Sequence, residues 1–146
     1  MKQSSILRST AVALMLAASA HVTLAAPAGL PPVQHAGDIS YLSGGVGSDQ
    51  SAAIKSAMRH YPLALEFVGK TNGGNDYLAD IPVQISDAHG TVLLNANARG
   101  PFMLVSLPHG RYTVTASYDG KQERRTVSVA SAAHTHEMFV WPMQTR

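Results

Sequence analysis

Two histidines, His134 and His136, stand in the run HTHE near the end of the chain. At positions i and i+2 of a strand they project to one side, where two imidazole nitrogens can grip one transition-metal ion. Glu137 then faces the other way. A third ligand has to come from a neighbouring element, with His89, His109 or Asp119 as donors. Closed structural sites take four ligands and open ones three, so the plain alternative is two solvated imidazoles on an outward face.

A second stretch with chemical promise is SGGVGSDQSAAIKSAM, Ser43 to Met58. Glycines running into a helix can cradle phosphate on backbone N–H groups. A phosphate loop also needs a Lys and a Ser/Thr after its last glycine. Here Gly47 is followed by Ser-Asp-Gln, and Asp49 puts negative charge where phosphate would sit. The dinucleotide spacing is not met either. The expectation is a glycine turn and a helix capped by Ser48 or Asp49. Ser43, Gly44, Gly45, Gly47 and Asp49 remain a candidate interaction turn.

Other chemistry is sparse. Asp76, Asp80 and Asp87 flank turns, where their side chains bond to backbone, and no serine lies in a nucleophile elbow. Trp141, Phe139 and Tyr41 are candidates for a sugar-stacking platform, although a lone Trp closing the last strand also suits a core plug. Glu123-Arg124-Arg125 reads as a solvated strand face. No cofactor is expected.

The elements that must position these residues begin after a leader. Lys2 and Arg8 precede an apolar run of about ten residues and then small residues, the pattern of a secretory signal peptide over 1–26, cut near residue 20 or 25–26. The run is shorter than the roughly 20 residues of a membrane span, so no transmembrane segment is expected after cleavage. With no cysteine to acylate, a lipoprotein is excluded. Lys2 and Arg8 leave with that segment and no acid does, so nine basic residues face nine acidic ones. A neutral domain has no electrostatic footprint for nucleic acid. The absence of cysteine also removes disulfides and thiol catalysis.

Residues 27–37 are proline-rich and aperiodic, a flexible leader. Residues 38–61 read as a strand, the glycine turn and a helix from Asp49 with Ala53, Ile54, Ala57, Met58 and Tyr61 on one face, ended by Pro62. From there to residue 142 the period is two, with turns at TNGGND, DAHG, PHG and DG. The fold class expected is mostly β: an antiparallel seven-stranded Ig-like or transthyretin-like sandwich with one N-terminal amphipathic helix. Pro82 marks an edge strand or a bulge.

LVSLPHGRYTVTASYDGKQERRTVSV, Leu104 to Val129, resembles the signature of carboxypeptidase regulatory-like domains, small transthyretin-like (prealbumin-like) sandwiches. In these a strand ends in L-P-x-G, continues as R/T-Y-x-V-x-A and turns at D-G. Pro108 and Gly110 would make the first turn, Tyr112 would bury its ring, and Asp119-Gly120 would make the hairpin. The resemblance implies a non-catalytic accessory module, with Ile39 to Tyr61 as an addition to it. The function expected is an exported, non-enzymatic binding or scaffold module of the bacterial envelope, periplasmic or secreted, whose partner is an envelope protein or a glycan. The alternatives are a periplasmic metal-binding protein using His134 and His136, and a carbohydrate-binding module.

Overall fold

Ten strands form two sheets packed face to face in the computed structural model, which describes residues 29–144. The expected signal segment, 1–26, lies outside the described residues. In chain order the elements are β1 (Gln34–Ala36), β2 (Ile39–Gly44), α1 (Ser48–Ala57), a 3-10 turn (Met58–His60), β3 (Leu63–Thr71) and β4 (Gly74–Tyr77). There follow β5 (Ile81–Asp87), β6 (Val92–Ala98), β7 (Phe102–Ser106), β8 (Gly110–Tyr118), β9 (Lys121–Val129) and β10 (Thr135–Pro142). The larger sheet runs β1-β2-β7-β3-β10, with β4 paired to the far half of β3. The smaller runs β6-β5-β8-β9. Every pairing is antiparallel except β3 with β10, which run parallel from Leu63 opposite Thr135 to Lys70 opposite Pro142. Among the described residues no helix is long and apolar enough to cross a membrane.

The strand count and the helix position correct the sequence reading. Ten strands replace seven, and α1 follows two strands, β1 and β2, where one was expected before it. Gln34–Ala36, inside the proline-rich leader, folds back through Gly37 and Asp38 so that Ala36 lies opposite Ile39. Gly74–Tyr77, inside a turn cluster, pairs with Val68 to Thr71. Strands of three or four residues carry too little alternation to announce themselves; a longer neighbour holds them. Pro82 lies in β5, an interior strand, and not at an edge. It precedes the β8 ladder, which starts at Val83, so its missing N–H breaks no bond there; the register shift falls instead at Ile85/Ser86.

Two cores follow from the layering. Between the sheets, Leu63, Leu65 and Phe67 of β3 meet Ile81, Val83 and Ile85 of β5 and Val114 and Ala116 of β8. Phe67, Phe139 and Trp141 pack with ring centroids 5.7 to 6.4 Å apart. On the opposite face of the larger sheet, Ile54 of α1 packs on Leu42, Ala64, Phe102 and Leu104. Burying an isoleucine there stabilises the layer by roughly 2 kcal/mol. β3 and β7 are therefore covered on both faces, which is why their runs LALEFVG and FMLV are nearly all apolar.

Two turns close the smaller sheet's framework. Asp119 and Gly120 both take positive φ, +49° and +73°, in a two-residue hairpin between Tyr118 and Lys121. At the crossing from β7 to β8, the Tyr112 hydroxyl donates to the Pro108 carbonyl at 2.6 Å. This is a tyrosine corner, a tie found at sheet-to-sheet crossings of Greek-key sandwiches. Burial pushes the Tyr112 hydroxyl pKa above its ordinary 10.0, and the Asp87 charge adds to that.

Candidate functional site

The glycine turn is a structural device on its inner side. Ser43 is buried and its Oγ accepts the Arg99 N–H at 3.1 Å, tying β2 to the end of β6. Gly44 pairs with Phe102, and Gly100 packs so closely on the Gly44 carbonyl that a Cβ at residue 100 would overlap it. Gly45 has φ +101°, and a Cβ there would come within 2.5 Å of the Phe102 ring. The helix cap differs from the expectation. Gly47 is the N-cap and no side chain caps the helix; Gln50, in the first turn, reaches back to accept the Gly45 N–H at 2.8 Å. The Gly45 N–H is therefore already bonded. Val46, Gly47 and Asp49 form the exposed outer part of the turn.

The two histidines take different partners. His134 precedes β10, and its Nδ1 lies 3.2 Å from the Tyr61 carbonyl. His136, on β10, has Nε2 2.9 Å from Glu66 Oε2 on the parallel neighbour β3. Glu137 falls on the other face of β10 with Phe139 and Trp141. His89 and Asp119 sit in turns at other places, and among the described residues no three His, Asp or Glu side chains group around a point where a metal ion would sit. His134 shares a shallow basin of about 260 Å³ with His60 and His109.

Glu66 is the functional-type residue that the sequence pattern hides. It is 8% exposed, and its strand reads as one apolar face (Leu63, Leu65, Phe67) with the other left to solvent. The signal that would have found it is the apolar Ala64 and Val68 on that second face, which show that Glu66 points into a covered layer. Its carboxyl group is hydrogen-bonded to the imidazole, as a buried polar group requires.

The aromatic trio does not form a platform. Trp141, Phe139 and Tyr41 are 1%, 0% and 9% exposed and belong to the core. The Trp141 indole N–H donates to the Lys121 carbonyl at 3.0 Å, and the Thr135 hydroxyl to the Ser128 carbonyl at 2.8 Å, so β10 closes the open side of β9. Strand alternation splits Glu123-Arg124-Arg125. Arg125 pairs with Glu123 at 3.1 Å and lies over the Phe139 ring at the mouth of the core. Arg124 points the opposite way.

That opposite way is the outer face of the smaller sheet, where a concavity of about 650 Å³ is the largest described here. Its ladder places side chains in rows across the strands. One row runs Asn95, Gln84, Thr115, Arg124. The next runs Val92, Ser86, Thr113, Thr126, and beyond it Arg111 stands opposite Ser128. Among the described residues neither the Arg111 nor the Arg124 guanidinium has a carboxylate partner. Asp87, at the rim, is occupied: one carboxylate oxygen accepts the N–H groups of His89 and Thr91, both at 2.9 Å. The face can bind by hydrogen bonds and by two separate positive charges. Neither a family model nor a curated protein matches this chain.

Proposed function

We propose that this chain is an exported, non-enzymatic binding module of the bacterial envelope, of the carboxypeptidase regulatory-like, transthyretin-like kind. The observation that carries the reading is how the polar side chains are distributed. The buried Glu66 carboxylate and the exposed His136 imidazole tie β10 to β3 with no serine or threonine hydroxyl hydrogen-bonded to the pair among the described residues. The concave outer face of the smaller sheet, by contrast, is a field of amides, hydroxyls and two guanidiniums with Asp87 at its rim. The basic, apolar and small-residue pattern of residues 1–26 supports export, and the tyrosine corner at Tyr112 supports the sandwich type.

Fractionation of cells with mass measurement of the mature N-terminus, followed by cross-linking in envelope extract, tests this reading. The expected result is a periplasmic or secreted protein beginning after residue 20 or 25–26, cross-linked to an envelope component. A full-length cytoplasmic protein retaining Met1 would overturn it.

A second reading, metal binding, has one supporting observation. A Tyr61 carbonyl on Nδ1 of His134 leaves Nε2 free, the arrangement of a metal-ligating imidazole. His136 is the weaker member, since its Nε2 is on Glu66. A rise in Tm with Cu²⁺, Ni²⁺ or Zn²⁺ that His134→Ala removes would support it; no rise in the wild type would end it.

A further inference from the structure

We infer that the outer face of the smaller sheet binds an acidic glycan: a chain of hydroxyl-bearing sugars carrying carboxylate or sulfate groups. This rests on the binding-module reading and names the ligand class and the surface.

Charge complementarity comes first. The outward-facing positions of β6, β5, β8 and β9 hold no carboxylate, whereas a solvated sheet face commonly pairs opposite charges across strands. The one acid lining the concavity, Asp87, lies at its rim with one oxygen on the His89 and Thr91 N–H groups. The charges on these rows are Arg111 and Arg124, and neither has a carboxylate partner among the described residues. Their separation suits an extended ligand. Arg124 stands opposite Thr115, four residues along β8 from Arg111, so the two backbones are roughly 13 Å apart. A ligand that repeats its charge along its length can give each guanidinium its own anion across this span.

The floor between them selects the rest of the ligand. Thr113, Thr115 and Thr126 are β-branched, with few rotamers to lose when bound. Each hydroxyl both donates and accepts, as does the Gln84 amide, which matches sugar hydroxyls. Nucleic acid fits less well, because its single strands call for aromatic stacking platforms, and Trp141, Phe139 and Tyr41 are in the core. The same burial removes the stacking that would hold a neutral sugar, so the charges must carry affinity. An extended peptide would add to a strand edge and not to this face.

The test is calorimetric titration of the full chain with oligogalacturonate and with heparin oligosaccharide, beside dextran as the neutral control. The wild type should bind at least one acidic oligosaccharide and not dextran, and affinity should fall as salt rises from low to physiological strength. Arg111→Gln and Arg124→Gln should each weaken binding by roughly tenfold, as loss of a charge-assisted pair does, and the double variant by more. Both side chains are exposed, so Tm should stay within a few degrees, which separates lost binding from lost fold. No binding to either acidic probe, equal binding of dextran, or unchanged affinity in the double variant overturns the inference. An envelope partner that cross-links equally to wild type and double variant also overturns it, while leaving the binding-module reading intact.

Discussion

β3 and β8 are nine-residue strands of the same sandwich, yet β3 is buried along seven consecutive residues while β8 buries every second one from Tyr112 to Ala116. The difference lies in what covers the outer face. Helix α1 and the Leu30 segment lie over the larger sheet and make a second core. Among the described residues the smaller sheet has no such layer, and its outer face is polar and concave. One sheet buries both faces, and the other leaves one face to solvent. Substitutions on β2, β3 and β7 should therefore disturb the fold most, and those on the outer face of β8 and β9 test the proposed binding.

Ile54→Ala should break the contrast most sharply. Ile54 is fully buried and anchors the helix to Leu42 and Leu104, so its loss should cost about 3 kcal/mol. Chemical denaturation reads this as a lower midpoint with a similar slope.

His136→Ala comes next, at about 2 kcal/mol, because it leaves the Glu66 carboxylate buried without its donor. Adding Glu66→Gln to that variant should recover part of the loss. An undiminished Tm in the single variant would show that the pair does not hold β10 to β3.

Tyr112→Phe should cost about 1 kcal/mol by removing the hydroxyl from the Pro108 carbonyl. It also has a pH signature. Because the folded pKa is raised, the unfolded tyrosine ionises first as pH climbs. The contribution is fully present below 10.0 and is lost as pH rises through the folded value. Unfolding curves taken on both sides of pH 10 should thus show a steeper alkaline loss in the wild type than in Tyr112→Phe.

The smallest effect belongs to the open face. Thr126→Val should change stability by less than about 0.5 kcal/mol, since Thr126 is exposed and packs on no layer. A large loss there would mean that this face is covered after all.

Much of the sandwich was legible because its signals are local. The alternation of Arg-Tyr-Thr-Val-Thr-Ala-Ser-Tyr and the Asp119-Gly120 turn each express one rule, period two and positive φ. The helix over Ser48–Ala57 was legible from its spacing and from Pro62. The candidate site was not, since its parts depend on partners far along the chain. Glu66 and His136 meet across 70 positions, and nothing near either one announces the parallel pairing that joins them. Trp141 looked as much like a surface platform as a plug until the packing of β9 against β10 placed its indole on Lys121. Gly45, a natural position at which to test the glycine turn by mutation, turns out to support Phe102, so Asp49 is the residue to change there.

By itself the chain's sequence determined a β-rich body, its hairpin turns, a single helix and the absence of disulfides, because each depends on neighbours a few residues apart or on composition. Only the tertiary structure decided that the helix makes a second core, that β10 runs parallel to β3, that His134 and His136 take different partners, and that Arg124 and Arg125 serve opposite faces. Those outcomes depend on which strand lies beside which. That choice is set by the summed burial of the whole chain, and no short stretch of residues contains it.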